Sequence, residues 1–206
     1  MTAVQLGADM VEIDVRRTRD GHIVAFHDLK LRRLTDAPGR LKHYTYAQLK
    51  RFTIEGEEIP GLKEILNALR SVCQINLELK ERGLVRDLAE LVKECGMVND
   101  VIFSSFHHFE LAKLKAINQQ FRVALLFGTQ PPSVLTPIRL ASELQAEVIS
   151  FPLDYITPRY LLGVLEEARL RNIKINVWTK NYLPDEIEWL KAIGVDGIIS
   201  DFPDKI

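Results

Sequence analysis

Cysteine is nearly absent from this chain, and the little there is forms no pattern. Cys73 and Cys95 stand apart, with no CxxC pair and no histidine at ligand spacing, which excludes a disulfide-stapled fold and a cysteine-built metal site. Both are expected to be reduced and buried. Long apolar runs are also missing. None reaches the roughly 18 residues that span a bilayer, and no basic-then-apolar leader opens the chain, so a cytoplasmic protein without stable membrane insertion is expected. Net charge is equally scarce: 27 Lys and Arg against 28 Asp and Glu leave −1, which gives no reason to expect nucleic acid as a partner. Finally, no GxGxxG or GxxxxGK(S/T) turn follows any strand candidate, which argues against a nucleotide-binding open sheet.

What is present suits one substantial core. The 206 residues are 47% hydrophobic and 27% charged, an ordinary globular composition and a length expected to form a single domain over residues 1–206. The organising stretch is Val11 to Val15. Glu12 and Asp14 lie two apart among β-branched residues, so a strand projects both carboxylates from one face and packs Val11, Ile13 and Val15 on the other. Asp20-Gly21 then signals a two-residue hairpin turn. Such a turn pairs positions summing to 41, setting Val15 against Phe26 and Asp14 against His27, and directly opposed residues share a face. Two acids and an imidazole would converge, which suits a divalent cation with a proton carrier beside it.

Residues 29–60 are polar and turn-rich, with a short helical patch near Thr45 to Arg51, and read as an excursion over one end of the fold. Beyond it, strands at Ile75–Leu79, Val101–Ser105, Arg122–Phe127, Glu147–Phe151, Ile173–Thr179 and Gly197–Ser200 alternate with helical patterns. The alternation requires parallel strands and right-handed crossovers, hence an α/β fold. Polar residues gather at the C-terminal ends of several strands, which favours a (β/α)8 TIM barrel over an open sheet. Together with the strand at Val11 this makes seven parallel candidates. Met1 to Leu6, closed by Gly7, resembles the last turn of a helix with no beginning. The eighth strand and the rest of that helix are expected upstream, and the strand edges left open invite homo-oligomerisation.

Period-two alternation puts Asn76, Glu78 and Lys80 on one face of their strand. Glu78 becomes a third inward carboxylate, completing a hard-cation site, and Lys80 lies one step nearer the rim, where it suits a phosphate oxygen. The competing assignment makes Glu78 and Lys80 a plain ion pair. Asn176 and Trp178 point inward by the same alternation, with Trp178 either walling a pocket or filling the core.

In sequence the chain resembles the glycerophosphodiester phosphodiesterase family over nearly its whole length. The matching segments are GADMVEIDVRRTRDGHIVAFHDLKLRRLTD (7–36), EIPGLKEIL (58–66), INLELK (75–80), IFSSF (102–106), INVWTKN (175–181) and DGIISDFP (196–203). The resemblance implies a (β/α)8 barrel that hydrolyses glycerophosphodiesters to sn-glycerol 3-phosphate and an alcohol with a divalent metal, Mg²⁺, Ca²⁺ or Mn²⁺. It implies Glu12, Asp14 and Glu78 as metal ligands, His27 as one of two acid-base histidines, Lys80 on the phosphate and Trp178 at the substrate pocket. The family's opening His-Arg-Gly strand, which carries the other histidine, has no counterpart here, and His22, His43, His107 and His108 do not match it. A barrel that binds a phosphodiester or a metal without turnover is therefore a second expectation.

Overall fold

The computed structural model describes residues 2–181 and 183–206. In chain order the elements are α1 (Thr2–Gln5), β1 (Met10–Arg17), β2 (Ile23–Ala25), α2 (Tyr46–Leu49), β3 (Thr53–Ile54), β4 (Glu57–Glu58), α3 (Leu62–Leu69), β5 (Gln74–Leu79), α4 (Val85–Glu94), β6 (Val101–Ser105), α5 (His108–Ile117), β7 (Arg122–Leu126), α6 (Leu135–Leu144), β8 (Val148–Pro152), α7 (Pro158–Arg169), β9 (Lys174–Trp178), α8 (Pro184–Ile193) and β10 (Gly197–Ile199). Met1, the first residue of the expected helical turn, lies outside the described residues; Gly7 closes α1 with a φ of +102°.

The main sheet runs β10-β9-β8-β7-β6-β5-β1-β2. β10 through β1 are parallel and β2 is antiparallel to β1. The crossover helices cover the outer face of the parallel strands, and the strand residues bury accordingly. Odd-numbered residues of β5, β7 and β9, such as Ile75, Leu77, Val123, Leu125, Ile175 and Val177, join the helices in one large core. Even-numbered residues take the inner face, where Ile102, Ala124 and Val148 pack with Met10 at the N-terminal end of the strands. The apolar plug at one end leaves the polar inner residues, Asn76, Glu78, Ser104 and Ser150, buried further along.

The hairpin differs from the two-residue turn expected at Asp20-Gly21. Val15 pairs with Ala25, Arg16 with Val24 and Arg17 with Ile23, one residue short of the predicted register. Thr18 is the cause. Its N–H donates to the His22 carbonyl at 2.9 Å, and its hydroxyl accepts the His22 N–H at 2.9 Å while donating to Asp20 at 2.6 Å. The ladder thus closes at Thr18 and His22, with Gly21 at φ +88° absorbing the extra residue. A one-residue slip exchanges faces, so Phe26, whose N–H donates to the Asp14 carbonyl at 2.9 Å, takes the place expected of His27. His27 lies beyond the end of β2.

Residues 29–60 build a small core of their own rather than a bare loop. Leu31, Ala37, Leu41, Leu49 and Ile59 bury together with Val24 and Phe26. Inside it, Thr45 and Gln48 form a reciprocal capping box at the start of α2. Cys95 is buried as expected, whereas Cys73 is only half-buried; both are free thiols.

Leu41→Ala is expected to cost roughly 2–5 kcal/mol through the cavity it leaves. Because Leu41 belongs to the smaller core, amide hydrogen exchange should accelerate across residues 29–60 while β5 to β9 stay protected, a pattern that exchange mass spectrometry resolves.

Candidate active site

Register builds the centre of the site. Parallel pairing places Asp14 beside Glu78 and Glu12 beside Asn76. These positions sit past the apolar plug, so their side chains share the inner face near the C-terminal ends of β1 and β5. Ligand oxygens of Glu12, Asp14 and Glu78 all lie within 4.8 Å of one another. Lys80 extends the ladder one residue further, its N–H donating to the Val15 carbonyl at 3.4 Å. Its Nζ then bridges the acids, 3.0 Å from Asp14 Oδ1 and 2.6 Å from Glu78 Oε1. The ion pair weighed against a phosphate contact is therefore present and includes both carboxylates. Phe106 places its ring 5.9 Å from the same Nζ, within cation–π range.

One ammonium does not balance three acids. Glu12 Oε1 is buried with no hydrogen-bond partner among the described residues, and burial followed by the fields of Asp14 and Glu78 pushes the Glu12 carboxyl up to about 8, with Asp201 just beyond β10 adding to the effect. Burial also raises Glu78, with Lys80 opposing. For Lys80, burial works against the ammonium, yet the neighbouring Glu78 and Asp14 outweigh it and hold the pKa above its ordinary value. An orphaned carboxylate oxygen within reach of two more is a hard-oxygen donor set, and it fits a divalent cation.

His27 borders the same groove, a cleft of about 480 Å³ lined also by Glu12, Asp14, Phe26 and Ile65. Its Nδ1 lies 2.5 Å from Asp28 Oδ1. Arg33 donates to both Asp28 oxygens and, as the largest influence, holds that carboxyl well below its usual range. An ionised carboxylate only accepts, so Nδ1 donates to Asp28 and Nε2 is the ring nitrogen not engaged by it. Asp28, Arg33 and Asp201 were not assigned roles from sequence. Adjacency to His27 was the available signal for Asp28, and nothing local marked the other two.

Trp178 stands half-buried at the end of β9, in register with Pro152 and Ile199 and separated from β5 by three strands. His108 donates from Nε2 to the Leu126 carbonyl at 2.9 Å, away from the acidic cluster. His22 stacks on Tyr46 at the hairpin turn. A second groove, of about 420 Å³ between the starts of α7 and α8, is lined by Leu153, Thr157, Pro158 and Trp189 and contains none of the clustered acids.

A statistical description of the Glycerophosphoryl diester phosphodiesterase family matches residues 1–205. The chain belongs to that family. It is 29% identical over 218 residues to a glycerophosphodiester phosphodiesterase of Caldanaerobacter subterraneus, an alignment spanning 99% of this chain and 86% of the relative. To one of Bacillus altitudinis it is 30% identical, over 98% of this chain and 86% of the relative. Among solved structures, an Oleispira antarctica phosphodiesterase in complex with the product sn-glycerol-3-phosphate superposes with a TM-score of 0.86 at 26% identity, covering 98% of this chain and 85% of that one. The fold is accordingly the TIM-barrel type of this phosphodiesterase family, as the strand pattern predicted.

The electrostatics give a signed expectation for this family member. The Glu12 carboxyl is raised on folding, so between its unfolded value of 4.5 and about 8 the folded state binds more protons than the unfolded, and stability falls as pH rises through that window. In chelator, melting temperature should drop from pH 5 to pH 8. Glu12→Gln should flatten this dependence and raise the pH 8 melting point by on the order of 5 °C, as differential scanning calorimetry would show.

Proposed function

We propose that this protein hydrolyses glycerophosphodiesters to sn-glycerol 3-phosphate and an alcohol, at the C-terminal ends of β1 and β5. The observation that carries the reading is the convergence of Glu12, Asp14 and Glu78 within 4.8 Å of one another, with His27 on the wall of the same groove. Family membership and the product held by the Oleispira relative favour this over binding without turnover.

Glu12, Asp14 and Glu78 would hold a divalent cation, Mg²⁺, Ca²⁺ or Mn²⁺, as oxygen ligands. Such a cation supplies charge neutralisation at the phosphoryl oxygens. Lys80 contributes a second positive charge and contacts a phosphate oxygen. Already close to Asp14 and Glu78, its ammonium needs only a small shift to exchange a carboxylate for a phosphate partner. Charge that develops on the phosphoryl group is then met by groups already in place. His27, with Asp28 fixing its Nδ1 proton, uses Nε2 to take a proton from the hydroxyl or water that attacks phosphorus or, once protonated, to give one to the alkoxide that leaves as the P–O bond breaks. Trp178 walls the substrate pocket. The substrate is a small molecule, and residues 1–206 belong to a single TIM-barrel domain.

We place this activity in the cytoplasm, with the exposed sheet edges as the surface for any homo-oligomer. Among the described residues no helix is long and apolar enough to cross a membrane.

Release of sn-glycerol 3-phosphate from glycerophosphocholine or glycerophosphoethanolamine tests the proposal. EDTA should abolish turnover and added Mg²⁺, Ca²⁺ or Mn²⁺ restore it. His27→Ala should lower kcat by roughly 10²–10⁴-fold, and Glu78→Gln should weaken metal binding in a calorimetric titration. Turnover indifferent to chelator and to Glu78→Gln would defeat the metal-assisted reading.

A further inference from the structure

Arg16 is a cation sealed in the interior, with 6% of the residue exposed. Its Nε and Nη2 both donate to the backbone carbonyl of His27, at 2.9 and 2.7 Å. The third nitrogen, Nη1, is buried without a hydrogen-bond partner among the described residues and lies 3.6 Å from Glu81 Oε2. Glu81 is itself anchored, since its Oε1 accepts the Arg17 N–H at 3.0 Å. Burying a guanidinium is costly, and a neutral carbonyl with one distant carboxylate is a weak return for it.

The location of the contact supplies the reason. β2 ends at Ala25, and the last main-chain bonds of that segment are made by Ala25 to Pro60 and by Phe26 to Asp14. Beyond Phe26 the chain leaves the sheet, and among the described residues the main chain of His27 is held by Arg16 alone. Two N–H groups of one rigid plane fix a carbonyl in both distance and direction, which a single flexible donor does not do. Because Arg16 sits two residues after Asp14 on the same strand, it transmits the position of the carboxylate strand to His27. Glu81, adjacent to Lys80, ties the same guanidinium to the end of β5.

We propose that Arg16 is a positioning residue, the fork that holds His27 in place beside the carboxylate cluster, with Glu81 steadying it from the β5 side. The inference rests on the proton-transfer role proposed for His27. It assigns Arg16 no contact with substrate or metal, so its loss misplaces the imidazole and leaves substrate affinity alone.

The test compares the full chain with Arg16→Lys, which keeps the charge without the fork, with Arg16→Gln, and with Glu81→Gln, which keeps an oxygen for the Arg17 N–H. Steady-state kinetics on glycerophosphocholine are measured alongside the NMR resonances of the His27 ring and carbonyl carbon. Arg16→Lys and Arg16→Gln should each lower kcat by about 10–100-fold, the range expected of a misplaced catalytic group, with KM changed by less than about twofold. Glu81→Gln should give a smaller loss in the same direction. The His27 resonances should shift in all three. Arg16→Gln combined with His27→Ala should be no slower than His27→Ala alone, because two residues acting through one group do not add. Unshifted His27 resonances, multiplying losses in the double variant, or a change confined to KM would overturn the proposal. Should His27→Ala turn over at the parent rate, the proton-transfer role falls, and the resonance shifts still decide whether Arg16 holds His27. If Arg16→Gln does not fold, Glu81→Gln carries the same readouts.

Discussion

Two carboxylates on neighbouring parallel strands, joined by a lysine from the next position along, are the constraint on which the rest of this structure depends. Asp14 and Glu78 are register partners, so the backbone forces them together whatever their charges prefer. In a partly desolvated interior that repulsion would be severe. Lys80 offsets it by bridging both, yet leaves Glu12 with a buried oxygen that has no hydrogen-bond partner among the described residues. The cluster is thus satisfied enough to fold and unsatisfied enough to attract a cation. A site fully neutralised by protein groups would be stable and inert.

The surrounding elements can be understood as what makes that tension sustainable. Ile102, Ala124, Val148 and Met10 plug the N-terminal side of the sheet's inner face. The polar inner residues are thereby confined towards the C-terminal ends of the strands, where barrel enzymes carry their chemistry. On the outer face, the helices bury the odd-numbered strand residues in a single core, which makes the register between β1 and β5 expensive to change. The smaller core under residues 29–60 has a different task. It anchors both flanks of the segment that carries His27, Val24 and Phe26 on one side and Leu31 on the other. The histidine is half-exposed, but Phe26 before it and Leu31 after it are buried.

Much of this was legible because it follows from period-two alternation. Once Val11 to Val15 is a strand, Glu12 and Asp14 must share a face, and the same rule selects Asn76, Glu78 and Lys80. Strand positions from Ile75 onward came out within one or two residues, since buried parallel strands bounded by turn residues have a strong pattern. The hairpin was different. Asp20-Gly21 is a sound turn signal, but Thr18 competes for the His22 backbone with its own hydroxyl and moves the register by one. The hydrogen bonds of one residue, Thr18, therefore set which residue opposes Asp14.

The sequence by itself determined the seven parallel strands, the inward carboxylates and the family, because each depends on residue type at fixed local spacing. Tertiary structure decided the partners. That Lys80 turns back onto Asp14, that Asp201 adds its field to Glu12 from just beyond β10, and that Arg16 grips the His27 carbonyl are all consequences of how separate stretches of the chain converge. No local pattern encodes them, because the energy of each contact depends on burial and on a distance across the fold that exists only once the core has formed.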